Sequence, residues 1–268
     1  MAVLTSDTLY IRIGQKAFIF ASYDEMSKQN FEYVHYKLKP EVSPNANMHE
    51  ALKRVAFVRN TFHKVKVLVE GAATLVPLNE FDEEDSEALY FFNISDQQKR
   101  RRVFYDTLPR LGAVLLFGID KDLCHTLEET FANIYFQSTE TSLILHFASC
   151  CPYSKGTSQL YVCMETSRVS VAAYRNGRID RYNTFVLYNV QEALYYVLSM
   201  VKTCRMDAAN DEIHVSGAEG IAERLVEKVK PFYPNCHINL PQNEFGRIGK
   251  TLHAAFPYDM VNALLKAY

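Results

Sequence analysis

Residues 9–23 read LYIRIGQKAFIFASY, and residues 160–174 read LYVCMETSRVSVAAY. The two stretches align without a gap at an offset of 151 residues, setting Leu9 against Leu160, Tyr10 against Tyr161, Ala21 against Ala172 and Tyr23 against Tyr174. In the first, Leu9, Ile11 and Ile13 alternate with polar positions. The pattern breaks once at Gly14-Gln15-Lys16 and resumes at Phe18 and Phe20, the period-two signature of two strands joined by a tight turn. Each copy predicts a β-hairpin that opens its half of the chain.

Working outward, the flanking segments repeat the plan. In the second half, Asn176-Gly177 predicts a type I′ turn, whose two central residues need positive φ. Arg178 to Phe185 then supplies a third strand. Asn189 and Glu192 form the start signal of a helix with the apolar stripe Ala193, Leu194, Val197, Leu198 and Val201. In the first half, Phe31 to Lys39 is the third strand and Pro40 to Pro44 a loop. Asn47 and Glu50 are expected to cap a helix whose stripe is Met48, Ala51, Leu52 and Val55. Lys64 to Val69, Gly112 to Phe117 and Ser142 to Phe147 read as strands, and Asp120 caps a helix running through Leu127, Phe131 and Ile134. Glu212 to Ser216 is a strand, Gly217 to Gly220 a turn, Ile221 to Phe232 a helix, and Tyr258 to Tyr268 a short closing helix. The turn-rich stretch Cys150 to Ser158 divides the chain into residues 1–155 and 156–268. The predicted class is α/β, two tandem strand-strand-strand-helix-strand units.

Composition narrows the function classes. The 268 residues carry 29 Lys and Arg against 31 Asp and Glu, a net charge of −2, which excludes a broadly basic nucleic-acid coat. No apolar run approaches the roughly 18 residues of a membrane span, so no membrane insertion is expected. Met1 to Thr8 does not read as a secretory signal. Six cysteines are too sparse for a disulfide scaffold, and the expected location is the reducing cytoplasm.

Several short motifs complete the pattern: LYIRIG at Leu9 to Gly14, TLVP at Thr74 to Pro77, LYFFN at Leu89 to Asn93, LLFGI at Leu115 to Ile119, YRNG at Tyr174 to Gly177 and HVSG at His214 to Gly217. In this order, across two tandem units, they resemble a Bacteroidetes family of unknown function (domain of unknown function 3822). That family has the actin-like ATPase (ribonuclease H-like) fold shared by actin, sugar kinases and Hsp70-type chaperones.

The resemblance implies a nucleotide site between the halves, with an Asp-x-Gly turn in the first hairpin of each. There the Asp holds a divalent cation or its waters, and the Gly lets backbone N–H groups approach phosphate. Here the first turn is Arg12-Ile13-Gly14, which keeps the glycine and exchanges the acid for a base. The second is Cys163-Met164-Glu165, which keeps neither. Gly217 and Gly220 stand where the family's adenosine-side glycines lie, and they read equally as an ordinary strand-to-helix turn. Arg12, Gly14, Cys163, Glu165, Gly217 and Gly220 are therefore a vestigial nucleotide cleft. Neither Arg12 nor Cys163 is a hard oxygen ligand for magnesium, and loss of a catalytic acid or base alone removes about 10²–10⁴ in rate. No cofactor, metal or catalytic residue is expected. The chain reads as a non-catalytic protein-interaction or scaffold module whose partner is another protein. The alternative is a divergent ATPase or kinase that binds ATP with magnesium.

Other constellations receive plainer readings. Lys99-Arg100-Arg101-Arg102 is the one dense basic run. Intramolecular pairing, with Asp96 and the acidic stretch Asp82 to Asp85 nearby, or a solvated helix start accounts for it, so no nucleic-acid partner is expected. Cys150, Cys151, Cys163, Cys204 and Cys236 lack the spacing of a metal site and read as small buried side chains, with a reactive thiol open only at Cys163. His214 reads as packed within a strand. Tyr10, Tyr161, Tyr195 and Tyr196 are divided between core filling and exposed interface anchors.

Overall fold

The alternating stretches form the strands their pattern implies. In the computed structural model, residues 8–23, 31–95, 100–151 and 157–265 are described. They belong to two compact units, residues 1–107 with 114–139 and residues 108–113 with 140–268.

The first unit begins with an antiparallel meander of β1 (Thr8–Ile13), β2 (Ala17–Tyr23) and β3 (Phe31–Lys37). Helix α1 (Pro44–Arg54) returns the chain to β4 (Lys64–Val69), which runs parallel beside β1. Next come β5 (Ala73–Pro77), α2 (Ser86–Asn93), β6 (Arg101–Leu108), β7 (Ala113–Asp120), α3 (Lys121–Thr130) and β8 (Ile134–Ser138). Strand β8 completes a five-stranded sheet in the order β3-β2-β1-β4-β8, while β5, β7 and β6 form a three-stranded sheet in that order. One face of the larger sheet buries Leu9, Ile11, Phe18, Phe20 and Val67 against Met48 and Ala51 of α1 and Leu123 and Leu127 of α3. Each such large apolar side chain contributes about 1.5–3 kcal/mol when withdrawn from water.

The second unit contains α4 (Thr139–Cys150), β9 (Ser158–Met164), β10 (Arg168–Arg175), β11 (Arg178–Val186) and α5 (Val190–Thr203). It continues through β12 (Glu212–Gly217), α6 (Ile221–Val229), β13 (Cys236–Ile238), α7 (Pro241–Ala255) and α8 (Tyr258–Leu265). Its sheet order, β11-β10-β9-β12-β13, repeats that of the first unit strand for strand. The hairpin register repeats too: Ile13 faces Phe18 and Tyr10 faces Ala21, while Met164 faces Val169 and Tyr161 faces Ala172. Asn176 (φ 53°) and Gly177 (φ 73°) make the expected left-handed turn. Asn189 Oδ1 accepts from Glu192 N at 3.1 Å and Glu192 Oε2 from Tyr188 N at 2.9 Å, a reciprocal cap at the start of α5.

Several expected elements are corrected. Ser142 to Phe147 lies inside helix α4, not a strand, because the run Leu143-Ile144-Leu145 is nearly all buried and shows no face. The helix α3 ends at Thr130, and Phe131 and Ile134 lie beyond it, with Ile134 opening β8. Ser43 rather than Asn47 caps α1, accepting from Ala46 N at 3.2 Å. Asn47 is instead buried within that helix, its amide donating to the carbonyls of Lys39, Val42 and Ser43 at 3.0–3.1 Å. The basic run opens strand β6 rather than a helix. Arg101 donates to Gly118 O at 3.0 Å and Arg102 to both Glu128 oxygens at 2.8 and 2.9 Å, so these two residues are paired within the chain, as expected of the run. Asp96, Lys99, residues 152–156 of the dividing loop and the last residues of the closing helix lie outside the described residues. Among the described residues, no helix is long and apolar enough to cross a membrane.

Candidate functional site

In the first unit, β1 and β4 end side by side, and their last residues set the local chemistry. Glu70 follows β4, and its N–H donates to Ile13 O at 3.0 Å. That places its carboxylate over Arg12, whose Nη1 donates to Glu70 Oε2 at 2.9 Å. Arg12 is 4 % exposed, so this is a largely buried ion pair. Gly14 N donates to Ala17 O at 3.1 Å, closing the hairpin. A Cβ at Gly14 would meet Arg12 Nη1 at 2.8 Å, Ala17 O at 2.9 Å and Glu70 Oε2 at 3.0 Å. The fixed obstacle is the backbone carbonyl of Ala17, and the tips of the Arg12–Glu70 pair fill the rest of the space beside the glycine. Beside it opens a pocket of about 320 Å³, whose lining includes Gly14, Glu70, Arg100, Arg101 and Asp120. Both of its carboxylates are engaged, Glu70 by Arg12 and Asp120 by Leu123 N at 3.0 Å as the cap of α3.

The second unit builds the corresponding turn differently. Glu165 N donates to Arg168 O at 2.9 Å, and Arg168, 4 % exposed, extends its guanidinium into a ring of acids. It pairs with Glu140 at the start of α4, with Asp259 of α8 at 3.3 Å and with Glu165 at 3.4 Å. Glu140 is fully buried and also accepts from Ser170 Oγ at 3.0 Å and from the Tyr182 hydroxyl. Cys163 lies in β9, in register with Ser170 on one side and Ser216 on the other. Burial, with Glu165 and Asp259 adding to it, pushes its thiol well above the usual range. That buried, raised thiol is the opposite of the exposed, low-pKa setting of a reactive cysteine.

The two glycines after β12 have separate physical reasons. Gly217 has φ 126°, and a Cβ there would stand 2.0 Å from Met164 O, which accepts from Ala218 N at 2.8 Å. Gly220 has φ 72° with nothing within 4 Å of the added Cβ, so only its left-handed turn into α6 selects it. In the second unit the structure brings Cys163, Gly217 and the turn at Glu165 together at the adjoining ends of β9 and β12. Arg12 and Gly14 share the first unit's hairpin.

His214 is packed as expected, stacked on Tyr161 with centroids 4.9 Å apart, and burial lowers its pKa. Tyr10 and Tyr161 are core residues, whereas Tyr195 is 68 % exposed. Cys204 and Cys236 are buried as expected, but Cys150 reaches the surface. The sequence reading also missed what surrounds Cys150: His146 and Glu244 bring ligand atoms to it, all three lying within 4.8 Å of one another. The signal is His-x-x-x-Cys, which places both side chains on one face of a helix, and it is visible only once α4 is read as helical.

The profile of a protein family described as "Protein of unknown function (DUF3822)" matches residues 3–236. The chain belongs to that family. This DUF3822 protein is similar to a Bacteroides thetaiotaomicron protein with actin-like ATPase fold and unknown function. The two are 23 % identical with a TM-score of 0.80 over 93 % of this chain and 96 % of that one. It is also similar to a chain of the PilM–PilN type IV pilus biogenesis complex, at 11 % identity and a TM-score of 0.63 over 97 % of each chain. At these identities the likeness establishes the fold, and the DUF3822 protein has the actin-like ATPase fold. No curated protein matches it in sequence.

Proposed function

We propose that this DUF3822 protein is a non-catalytic protein-interaction or scaffold module on the actin-like ATPase fold, using neither nucleotide nor magnesium. The observation that carries this reading is the closure of both hairpin turns on internal ion pairs. In the first, Arg12 neutralises Glu70 beside Gly14. In the second, Arg168 is held by Glu140, Asp259 and Glu165. The N–H groups of Gly14 and Glu165 are already donated to the opposite strand. Magnesium needs hard oxygen ligands in near-octahedral order, and phosphoryl transfer draws most of its barrier lowering from metal and positioned charge. Arg12 and Cys163 supply neither carboxylate, and the pocket acids Glu70 and Asp120 serve the fold. Arg12, Gly14, Cys163, Glu165, Gly217 and Gly220 are then the remains of a nucleotide cleft turned to structural use.

The partner is read from the surface of the second unit. Edge strand β11 ends in Val186, 60 % exposed, followed by Tyr188 at 92 % and Tyr195 at 68 %. Beneath them Phe185 and Tyr196 stack with centroids 4.0 Å apart, fixing the platform. Tyrosines on a rigid support are favoured interface anchors, because they bury large area at little entropic cost. The PilM chain, which shares the fold, is seen in a complex with PilN, and that analogy supports a protein partner here.

A photoreactive phenylalanine analogue placed at Tyr195 in cells is expected to yield one discrete adduct, weakened at least about tenfold by Tyr188→Ala, as for an interface hot spot. The same analogue at exposed Glu129 serves as the control. An identical smear from both positions would contradict the proposed surface.

A further inference from the structure

His146 and Cys150 lie one turn apart on α4, and Glu244 reaches them from α7. The imidazole is fully buried while Cys150 opens to solvent, so the group has a protein-facing wall and an entrance. His146 Nε2 is 3.3 Å from Glu244 Oε1 and 3.8 Å from Cys150 Sγ. A zinc ion binds nitrogen and oxygen at about 2.0–2.2 Å and sulfur at about 2.3 Å in tetrahedral order. Those bond lengths separate neighbouring nitrogen and oxygen ligands by about 3.4 Å, and nitrogen and sulfur ligands by about 3.6 Å. The nitrogen–oxygen and nitrogen–sulfur spacings come near two edges of such a tetrahedron, and because Cys150 Sγ also lies 4.0 Å from His146 Nδ1, the exposed thiol turns outward from the ring to share an ion with Nε2 and Glu244.

The surroundings hold the donors in place. The Tyr258 hydroxyl donates to Glu244 Oε2, which leaves Oε1 turned toward the imidazole. Tyr258 Oη also lies 3.0 Å from His146 Nε2. The rings of Phe245 and Phe147 flank the imidazole at centroid distances of 5.2 and 5.8 Å. An aromatic wall of this kind strengthens charge interactions within the site by lowering the local dielectric. A thiolate and a carboxylate together cancel a divalent charge, so the filled site carries no net charge into that wall.

We propose that His146, Cys150 and Glu244 form a binding site for a divalent, borderline-soft transition metal of the zinc class, with Tyr258 positioning Glu244 and the fourth coordination place left to water or an external ligand. The soft sulfur and the imidazole favour such an ion over magnesium or calcium, which take oxygen donors. Binding forms the metal–sulfur bond as the Cys150 thiol gives up its proton to solvent. Its three ligands are none of the residues of the nucleotide-related turns, although Tyr258 reaches Ser216 of β12, and cobalt binding is read out without nucleotide, so the test does not depend on the function proposed above.

Cobalt(II) is the probe. Titrated into the full chain under reducing conditions, it is expected to bind at one equivalent. The near-ultraviolet thiolate-to-cobalt band and the strong visible bands of a four-coordinate ion report that binding. Cys150→Ser is expected to abolish the thiolate band and Glu244→Gln to abolish stoichiometric binding, while Cys151→Ser keeps both spectra. Tyr258→Phe, which removes the hydroxyl that orients the carboxylate, is expected to weaken binding about 10–100-fold, the usual effect of losing an outer-shell partner. Each variant's far-ultraviolet circular dichroism shows whether it has folded. The absence of a thiolate band in the parent, or an unchanged band in folded Cys150→Ser, would overturn the assignment.

Discussion

Gly217→Ala is expected to destabilise the protein by about 2–6 kcal/mol. Two terms add: a non-glycine residue at positive φ costs on the order of 1–3 kcal/mol, and forcing an atom into packed space costs roughly another 1–3. The second term is not easily relieved here, because the obstacle is Met164 O, backbone of the neighbouring strand, only 2.0 Å from the new Cβ. Moving it breaks the Ala218 N to Met164 O bond of 2.8 Å and loosens the β9–β12 ladder at its end. Since whole-protein stability is about 5–15 kcal/mol, much of it would be lost. Thermal unfolding followed by circular dichroism is expected to show a Tm lower by roughly 10 °C. A Tm within about 2 °C of the parent would mean that the turn has room the structure does not show.

Arg168→Met is the second large effect, with an expected loss of about 3–5 kcal/mol. The guanidinium faces Glu140 and Asp259, both fully buried. Without it, two carboxylates lose the countercharge that offsets their removal from water, and an uncompensated buried charge costs far more than the pair contributes. Glu140→Gln is expected to be milder, since Arg168 retains Asp259 and Glu165, and the amide still accepts from Ser170. The double variant is then expected to be less damaged than the sum of the two, the mark of residues that share one network. Urea unfolding of the four proteins measures this. Additive losses would show that Arg168 acts outside the network.

What the sequence disclosed, and what it hid, follows from the range of the signals. The hairpins were legible because alternation is local and strong. The gapless match of residues 9–23 with 160–174 even carried the register, since Tyr10–Ala21 and Tyr161–Ala172 are equivalent pairs. Caps were legible where they were reciprocal, as at Asn189 and Glu192, and misleading at Asn47, whose amide serves a loop before the helix. Helix α4 was hidden because a helix buried nearly all round has no polar face to set its period. That single misreading also concealed the spacing of His146 and Cys150. Helix α7 was missed for another reason: Gly246 interrupts it at φ 67°.

For the candidate turns, the absence of an acid at Arg12 and Cys163 was plain in the sequence, but the charges the fold sets around those turns were not. Glu70 lies 58 residues from Arg12, and Asp259 lies 91 from Arg168, so only the fold brings these charges together. Gly14 likewise read as a remnant of phosphate binding, while the structure gives it an immediate reason in the backbone carbonyl of Ala17, 2.9 Å from any added Cβ.

The most direct test of the central claim is a thermal-shift titration with ATP and magnesium at millimolar concentration, repeated with ADP. Any ligand that binds only the native state stabilises it by mass action, about 2.7 kcal/mol at a hundredfold excess over its Kd. A flat Tm is expected for both nucleotides, with or without magnesium. A saturable, magnesium-dependent rise would show that turns closed on Arg12 and Arg168 still accept a metal–nucleotide, and would contradict that claim.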